Sequence, residues 1–379
     1  MLIQFHILQN YAPSNLNRDD TGAPKDAMFG GYRRGRISSQ CLKRSIRRSE
    51  AFKAAFEKDE LLGIRTRQLP DLLRKELETL SVDSADIQAI LAPVARFGRE
   101  SGKKAAEEEV GEDDGKAAEA ETASKQLIFV GRDELHPMAE NLLALYKKMG
   151  KKWAKLESRE ITKELGPSAP RSVDIAMFGR MTTSAAFEDV QAAVQVAHAI
   201  STNAITQEFD YYTAMDDLKP NSEPGADMIG DVEFNSSTYY KYFNIHWEAL
   251  KANLGGDAEV ARKAVLALLE AAATAQPSGK QNTFAAQNLP DLILVEVSQK
   301  NLPVSYTNAF IKPASKYGEK SLMDDSVAKM ADYMGRVGKT FAIENTRAFA
   351  ATQEFELPGA KSQESLPALQ KWLAAQIAG

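Results

Sequence analysis

The amino-acid sequence predicts an α+β fold, and three observations support that class. Residues 2–9 place Ile3, Phe5 and Ile7 on one side of the backbone at period two, which is the pattern of a strand. Residues 291–298 (DLILVEVS) form a second strand-like run in the last third of the chain. Most apolar residues between these runs recur at three and four, which is typical of helices. Two strands around a helix-rich middle favour α+β over a doubly wound parallel sheet.

The first hundred residues predict a strand, a loop and then helices. After the opening strand, residues 10–31 are rich in Asn, Asp, Gly and Pro, so we expect a loop. A helix is expected to begin at Ser38, because a serine pair can cap it and because Leu42 and Ile46 lie four apart. Residues 50–100 alternate Leu and Ala with charged residues at helical spacing, which indicates several short helices.

The remainder of the chain predicts further helices and one hairpin. A short strand or buried turn is expected at 127–135. Helical segments are expected at 136–166, 184–200, 257–275 and 365–377. The aromatic-rich runs 208–217 and 233–247 are β-prone and enclose a loop dense in Pro and Gly, which predicts a protruding hairpin.

Composition excludes several classes of protein. A 379-residue chain with 44% hydrophobic and 26% charged residues can bury a large core, so it is not disordered as a whole. The single Cys41 excludes a disulfide framework within the chain, and four scattered histidines match no metal motif. Neither a leader peptide nor an apolar run of about 18 residues is present, so we expect a cytoplasmic protein with no membrane span, no metal and no cofactor.

The net charge of −5 is an average over two unlike segments. Residues 101–125 contain eight acidic residues and four lysines, with almost no large apolar side chain, so we expect an exposed, mobile insertion. Residues 18–48 contain nine basic residues and three acidic ones. An overall acidic balance therefore does not exclude a nucleic-acid partner, because a local basic segment can bind one.

The basic segment has features of a polyanion site. Its residues Gln40, Lys43, Arg44, Arg47 and Arg48 fall on one arc of the predicted helix, opposite the apolar side. The preceding run FGGYRRGR (29–36) combines glycines, which let a backbone approach phosphate closely, with three arginines. The helix start offers further N–H groups. The alternative interpretation is a hairpin turn followed by a solvated, charged helix. A single-metabolite phosphate site fits less well, since the run is neither a P-loop nor GxGxxG.

Three other groups of residues have both a functional and a structural interpretation. Five lysines lie within nine residues and would share one helical face, for contact with nucleic acid or simply with solvent: Lys147, Lys148, Lys151, Lys152 and Lys155. Of the aromatic residues flanking the hairpin, most are expected to pack across strands, but Tyr211 and Tyr212 are adjacent and at least one can face outward to stack on a base. Three aspartates near the basic segment, Asp19, Asp20 and Asp26, could hold Mg²⁺ for a ribonuclease, or could instead order the loop and pair with its basic residues.

The sequence resembles the CasC family, the backbone subunit of the type I-E CRISPR surveillance complex, Cascade. The resemblance rests on long motifs of mixed composition in the family's order and spacing. They are NYAPSNLNRDDTGAPKDAMFGGYRRGRISSQCLKRSIRRS (10–49), DIAMFGRMTTS (174–184), AHAISTNAITQEFDYYTAMDDL (197–218), IGDVEFNSSTYYKYFNIH (229–246) and GKQNTFAAQNLPDLILV (279–295). The acidic stretch 101–125 has no counterpart in that pattern.

The resemblance implies a modified RNA-recognition-motif (ferredoxin-like) palm, a helical fingers insertion and a β-hairpin thumb. The implied boundaries are 1–58 for the first part of the palm, 59–183 for the fingers, 184–206 for the continued palm, 207–238 for the thumb and 239–379 for the rest of the palm. It also implies a non-catalytic subunit that polymerises along CRISPR guide RNA and presents it for pairing with a target DNA strand. The implied partners are guide RNA, target DNA, copies of the chain, the large, small, guide-capping and guide-processing subunits of Cascade, and a recruited helicase–nuclease.

Roles of individual residues follow from the resemblance, position by position. Guide-RNA contacts fall on Arg18, Lys25, Ser38, Gln40, Lys43, Arg44 and Arg47. Thumb or wedge positions at the guide–target duplex fall on Met181, Tyr211, Tyr212 and Thr213. The lysine run from Lys147 to Lys155 matches a family region that contacts target DNA. Sequence specificity would then belong to base pairing, while the protein would bind phosphate and shape.

Overall fold

The structure is a computed structural model of the chain, and it describes residues 1–94, 97, 127–182, 184–214, 228–316 and 318–377. The predicted acidic insertion, 101–125, lies outside the described residues, as does the tip of the predicted hairpin, 215–227. The chain divides into two compact units. We call Met1–Lys53, Val194–Glu248 and Arg262–Gly379 the sheet unit, and Ala54–Ala193 with Ala249–Ala261 the helical unit.

The described residues form twelve strands and twelve α-helices, in agreement with the predicted α+β class. The strands are β1 (Leu2–Ser14), β2 (Asp26–Phe29), β3 (Tyr32–Ile37), β4 (Gly63–Thr66), β5 (Ile128–Gly131), β6 (Val194–Val196), β7 (Ala199–Ser201), β8 (Glu208–Ala214), β9 (Met228–His246), β10 (Leu292–Ser298), β11 (Thr346–Ala351) and β12 (Ala360–Gln363). The helices are α1 (Ser39–Arg48), α2 (Glu50–Phe56), α3 (Leu69–Thr79), α4 (Ser84–Leu91), α5 (Arg132–Met149), α6 (Ser158–Leu165), α7 (Val173–Phe178), α8 (Trp247–Asn253), α9 (Ala258–Thr274), α10 (Gln281–Phe284), α11 (Leu322–Phe341) and α12 (Leu366–Gln376).

The sheet unit contains a ten-stranded sheet with β1 at its centre. The strand order is β12-β11-β10-β1-β9-β7-β3-β2, and β6 and β8 also pair with β9. Antiparallel pairing on both sides of β1 sets Ile7 opposite Ile293 on β10 and Lys241 on β9. Every residue from Leu2 to Gln9 is buried, so both faces of the opening strand are covered and not only the face with period-two apolar residues.

Different helices cover the two faces of the sheet. On one face, Leu8 and Tyr240 belong to a buried cluster with Met330 of α11. On the other face, Tyr239 belongs to a cluster with Leu42 of α1. Because side chains alternate along a strand, neighbouring residues of β9 face different helices.

The predicted helix at 184–200 is wrong. In its place the chain forms β6, β7 and an isolated bridge between Arg180 and Val190. The apolar residues of this segment do recur at helical spacing, but several are β-branched, and β9 offers a partner: Val194 pairs with Ile245 and Ile200 with Tyr240. Pairing with a strand far along the chain outweighs the local pattern here.

The helical unit has its own core and one buried ion pair. Its two-stranded sheet pairs β4 with β5, and Leu73 of α3 and Leu142 of α5 lie in one buried cluster. Arg180 Nη1 donates to Glu134 Oε2 at 2.6 Å, and both side chains are almost wholly buried. No helix among the described residues is long and apolar enough to cross a membrane.

Candidate nucleic-acid interface

The ten-residue helix α1 is divided lengthwise into a buried side and a cationic side. Leu42 and Ile46 are only 3% and 2% exposed. The opposite side presents the five residues of the predicted arc. Gln40, Arg44 and Arg48 are exposed, and Lys43 and Arg47 are half-buried. We call these five side chains the cationic face. The helix contains no acidic residue, so nothing within it neutralises this face. The predicted division of the helix into two sides is confirmed.

The start of α1 is capped within the protein. Ser38 is buried; its Oγ accepts a hydrogen bond from the backbone N–H of Cys41 at 3.2 Å, and its own N–H donates to Asn17 Oδ1 at 2.8 Å. The N–H of Ser39 donates to Nδ1 of His198 at 3.3 Å. The interpretation that the helix start offers open N–H groups to an anion is therefore wrong for Ser39 and Cys41. The Ser38 hydroxyl keeps its hydrogen and can still donate it.

The loop between β1 and β2 holds the two other predicted guide contacts. Arg18 is exposed and forms an isolated bridge with Pro24, and Lys25 is half-buried, with its N–H donating to the Asn17 carbonyl at 2.8 Å. The loop lines a polar cleft of about 530 Å³ that includes Arg18 and Cys41 of α1. Arg18 therefore lies on the same stretch of surface as the start of α1, and Lys25 is close enough to Cys41 to lower the pKa of its thiol electrostatically, against the larger effect of burial.

The sequence interpretation placed the three arginines of FGGYRRGR at one site, but in the structure they do not converge. Gly30 and Gly31 have φ of +61° and +81° and form the turn of a β2–β3 hairpin. Arg34 is wholly buried, and its guanidinium donates to the carbonyls of Thr202 at 2.6 Å and Phe310 at 2.5 Å. Arg34 therefore joins strands and loops of the sheet unit and cannot reach a ligand.

The other two arginines differ in what they contact. Arg33 donates to the carboxylate of Asp26 and to Gln207 Oε1, so its charge is paired. Arg36 Nε donates to the carbonyl of Asp26 at 3.1 Å, and its Nη1 donates to His198 Nδ1 at 3.4 Å. Arg36 thus adds a cation beside α1 that has no carboxylate partner among the described residues.

The aspartates proposed for Mg²⁺ have structural partners. One oxygen of Asp19 accepts from the Thr21 hydroxyl at 2.8 Å and from the N–H groups of Thr21 and Ala23, and the Thr21 hydroxyl is the main cause of the lowered pKa of Asp19. Asp26 pairs with Arg33. Across the described ranges, no group of three or more His, Cys, Asp or Glu side chains is placed to hold a metal ion. Asp19 therefore orders the loop and Asp26 pairs with Arg33, in agreement with the alternative interpretation, while Asp20 is exposed.

The β8–β9 hairpin exposes aromatic rings to solvent. Tyr211 and Tyr212 are 65% and 47% exposed, which agrees with the prediction that at least one of them faces outward. Tyr212 lies over Gly230 on the opposite strand. A Cβ atom at position 230 would be only 2.5 Å from the Tyr212 hydroxyl oxygen, so the ring needs glycine there. Phe209, which sequence reasoning missed, is 62% exposed on the same side as Tyr211, as its spacing of two indicates. On β9, the aromatic residues from Tyr239 to Phe243 are buried, in agreement with the prediction that most of these rings pack across strands.

The two remaining predicted sites belong to the helical unit. Met181 follows the buried Arg180 and is 94% exposed, which is unusual for so apolar a side chain. The five lysines of the run 147–155 are all exposed, but they do not share one helical face. The reason is Gly150, whose φ of +49° ends α5 at Met149 and starts a 3₁₀ turn over Gly150–Lys155.

Sequence reasoning also missed two basic groups beside α1. His198 is exposed next to Arg36, because β3 pairs with β7 and so brings residues more than 150 positions apart together. Lys241 is 1% exposed on the sheet face that α1 covers. The motif TYYKYF contains it among aromatic residues of both faces, so no periodicity in the sequence marks its side.

The chain was compared with known families and structures. The family model described as CT1975-like protein matches residues 3–376. A chain of a CRISPR RNA-guided surveillance complex, pre-nicking, is 28% identical over 100% of both chains, with a TM-score of 0.80. A chain of another CRISPR RNA-guided surveillance complex is 23% identical over 99% of both chains, with a TM-score of 0.62, and shares the fold. No curated protein matches the sequence significantly.

Proposed function

We propose a function from one premise: this chain belongs to the CT1975-like protein family. The resemblance to the CasC family agrees with that membership and with the likeness to surveillance-complex subunits. The function we propose is that of a non-catalytic backbone subunit of a type I-E surveillance complex, which polymerises along CRISPR guide RNA in the cytoplasm. The guide would then be held for pairing with a target DNA strand, and a separate helicase–nuclease would cut that strand.

The cationic face of α1 is the observation on which the proposal rests. Lys43, Arg44 and Arg47 lie on one side of a helix without acidic residues, and Arg18, Lys25 and Arg36 lie in the adjoining loop and hairpin. A single phosphate needs far fewer cations, whereas a nucleic-acid backbone repeats its charge along such a surface. Contacts to phosphate carry no sequence information, which suits a subunit that binds guides of any sequence.

The hairpin and Met181 support the second part of the proposal. Exposed rings on β8 can stack on bases without selecting among them. Met181, with 94% of its surface exposed, suits a wedge between bases. We therefore propose that the sheet unit acts as the modified RNA-recognition-motif palm, that 207–238 acts as the thumb, and that Met181, Tyr211, Tyr212 and Thr213 interrupt the guide–target duplex. The exposed lysines at 147–155 would provide additional contacts to target DNA.

Charge reversal on α1 tests the proposal. We expect Lys43→Glu with Arg44→Glu to lower affinity for guide-length RNA at least tenfold, because two charge-assisted contacts are lost and replaced by repulsion. The plot of log affinity against log salt should become shallower by about 1.4, the contribution of two cations on single-stranded RNA. Fluorescence anisotropy over a salt series measures both quantities.

The matched control reverses two exposed lysines elsewhere in the sheet unit, Lys361→Glu on β12 and Lys371→Glu on α12. This variant has the same net charge, so equal losses in both variants would show a general charge effect and not a site on α1. Recovery of guide RNA with the co-expressed complex, unchanged by the α1 variant, would refute the proposed site. Incubation with complementary RNA or DNA and Mg²⁺ addresses the ribonuclease alternative: regularly spaced fragments that disappear in Asp26→Ala would replace the non-catalytic proposal.

A further inference from the structure

His198 lies in a cluster of groups beside the cationic face. Its ring is exposed at the turn between β6 and β7, and Nδ1 is 3.3 Å from the backbone nitrogen of Ser39 on α1 and 3.4 Å from Arg36 Nη1 on β3. Lys25, in the loop before β2, is close enough to affect the imidazole electrostatically. Three separate elements thus place their donors or positive charges around one imidazole.

These contacts determine which nitrogen of His198 has the proton. A backbone N–H and a guanidinium can only donate, so Nδ1 is the acceptor, and Ser39 and Arg36 share its single lone pair. In the neutral ring the proton is then on Nε2, and Nε2 has no hydrogen-bond partner within the described residues. Partial burial and the nearby charges of Arg36 and Lys25 lower the pKa of His198, which favours this neutral form at pH 7.

A neutral donor suits this position. A third positive charge beside Arg36 and Lys25 would be repelled by both. A neutral N–H avoids that repulsion and still offers a directed hydrogen bond to a phosphate oxygen. Ser39 and Arg36 hold the ring from behind, so its outward nitrogen is already oriented before a ligand arrives.

We propose that His198 binds a phosphate of the guide-RNA backbone through Nε2–H, as an uncharged ligand between Arg36 and Lys25. The inference deepens the proposed function and rests on it. Nothing in the motif AHAISTN marks this role, because the pairing of β3 with β7 creates the site.

Two substitutions separate binding from positioning. His198→Asn places an amide oxygen where Nδ1 was, so it can accept from Ser39 and Arg36 but lacks the outward donor. His198→Gln places an amide N–H near the position of Nε2 but lacks the inner acceptor. His136→Asn is the matched control, since His136 is an exposed histidine of the helical unit that pairs with Glu76.

The measurement is affinity for guide-length RNA over a salt series, together with thermal unfolding of each variant. We expect His198→Asn to unfold like the wild type but to bind about tenfold more weakly, the factor associated with a hydrogen bond to a charged group. Its salt slope should be unchanged, because a neutral ligand releases no counterion. His198→Gln should retain more affinity than His198→Asn, and His136→Asn should bind normally.

Three outcomes would overturn the inference. If His198→Asn binds RNA like the wild type while His198→Gln loses both affinity and thermal stability, His198 only positions the start of α1. A salt slope that falls by about 0.7 in His198→Asn would mean that the ring binds as a cation. Equal losses in His198→Asn and His136→Asn would show that neither loss is specific. If the wild-type protein itself fails to bind RNA, or the α1 charge reversal has no effect, the proposed function has failed instead.

Discussion

The large sheet buries charge on both of its faces around β1 and β9, but only one face neutralises it. On the face under α11, Glu296 is wholly buried and accepts hydrogen bonds from Arg347 Nε at 2.7 Å, Tyr306 at 2.8 Å and Asn345 at 2.7 Å. His6 stacks on Tyr306 with ring centroids 4.5 Å apart. Although burial alone would raise it, the positive neighbours hold the pKa of Glu296 below its ordinary value.

The face under α1 has a buried charge without a counter-charge. Lys241 pairs in register with Ile7 and is 1% exposed, and no described carboxylate forms an ion pair with it. Its ammonium lies 5.7 Å from the ring centre of Tyr11, a weaker contact than a salt bridge. Burial lowers the pKa of Lys241 to about 7.

The difference shows where the fold is optimised for stability and where it is not. A buried carboxylate that accepts three hydrogen bonds, one of them from a guanidinium, costs the folded state little, even though Nη2 of Arg347 is buried without a hydrogen-bond partner among the described residues. A lone buried ammonium, in contrast, lowers the stability of the folded state. The unpaired lysine lies on the face that bears α1 and its cationic face. Lys241 is itself buried, so its cost to stability belongs to the interior of the sheet unit and not to the exposed cationic face.

The largest expected effect is on the neutralised face. Glu296→Ala would leave the Arg347 guanidinium buried without its counter-ion, so we expect a loss of about 3–5 kcal/mol in the free energy of unfolding. Urea denaturation of the full-length wild type and variant measures this loss. Glu364→Ala removes an exposed glutamate of the same unit and should change stability by less than about 0.5 kcal/mol. A loss below about 1 kcal/mol in Glu296→Ala would mean that the ion pair is not the stabilising feature of this face.

We expect Lys241→Met to raise the free energy of unfolding, whereas Glu296→Ala lowers it. The folded state favours the neutral amine, so stability is complete above the unfolded pKa of 10.5 and is lost as the pH falls toward about 7. Replacing the ammonium by an apolar chain of similar length should therefore stabilise the protein at pH 7 by up to about 4 kcal/mol, and by only about 1 kcal/mol at pH 10. Thermal unfolding of both proteins at the two pH values provides the test. If Lys241→Met is less stable than the wild type at pH 7, the lysine makes a stabilising interaction in the folded protein and the prediction is wrong.

The sequence predicts those features of the two faces that neighbouring residues cause, and it does not predict those that depend on distant residues. The cap at Ser38, the two-sided helix after it and the aromatic hairpin follow from neighbouring residues, and they were predicted correctly. The burial of Arg34 and the strands at 194–201 depend on partners distant in the chain, so periodicity could not show them. Lys241 is the clearest case, because aromatic residues occupy both faces of β9 and hide the alternation that would assign it to one of them.

The smallest expected effect is an acid sensitivity of the neutralised face. Burial lowers the pKa of His6 from 6.5 to about 4, with Glu296 opposing that shift in part. The unfolded chain therefore binds a proton between these values that the folded protein does not, so stability is complete above pH 6.5 and declines as the pH falls toward 4. We expect the wild type to lose about 2 kcal/mol between pH 7.5 and pH 5 through this group. His6→Gln, which cannot titrate, should lose correspondingly less over the same interval in urea denaturation. Equal losses in the two proteins would assign the acid sensitivity to groups other than His6. A smaller loss in His6→Gln would show that the two faces respond to pH in separate windows, the His6 face below pH 6.5 and the Lys241 face above pH 7.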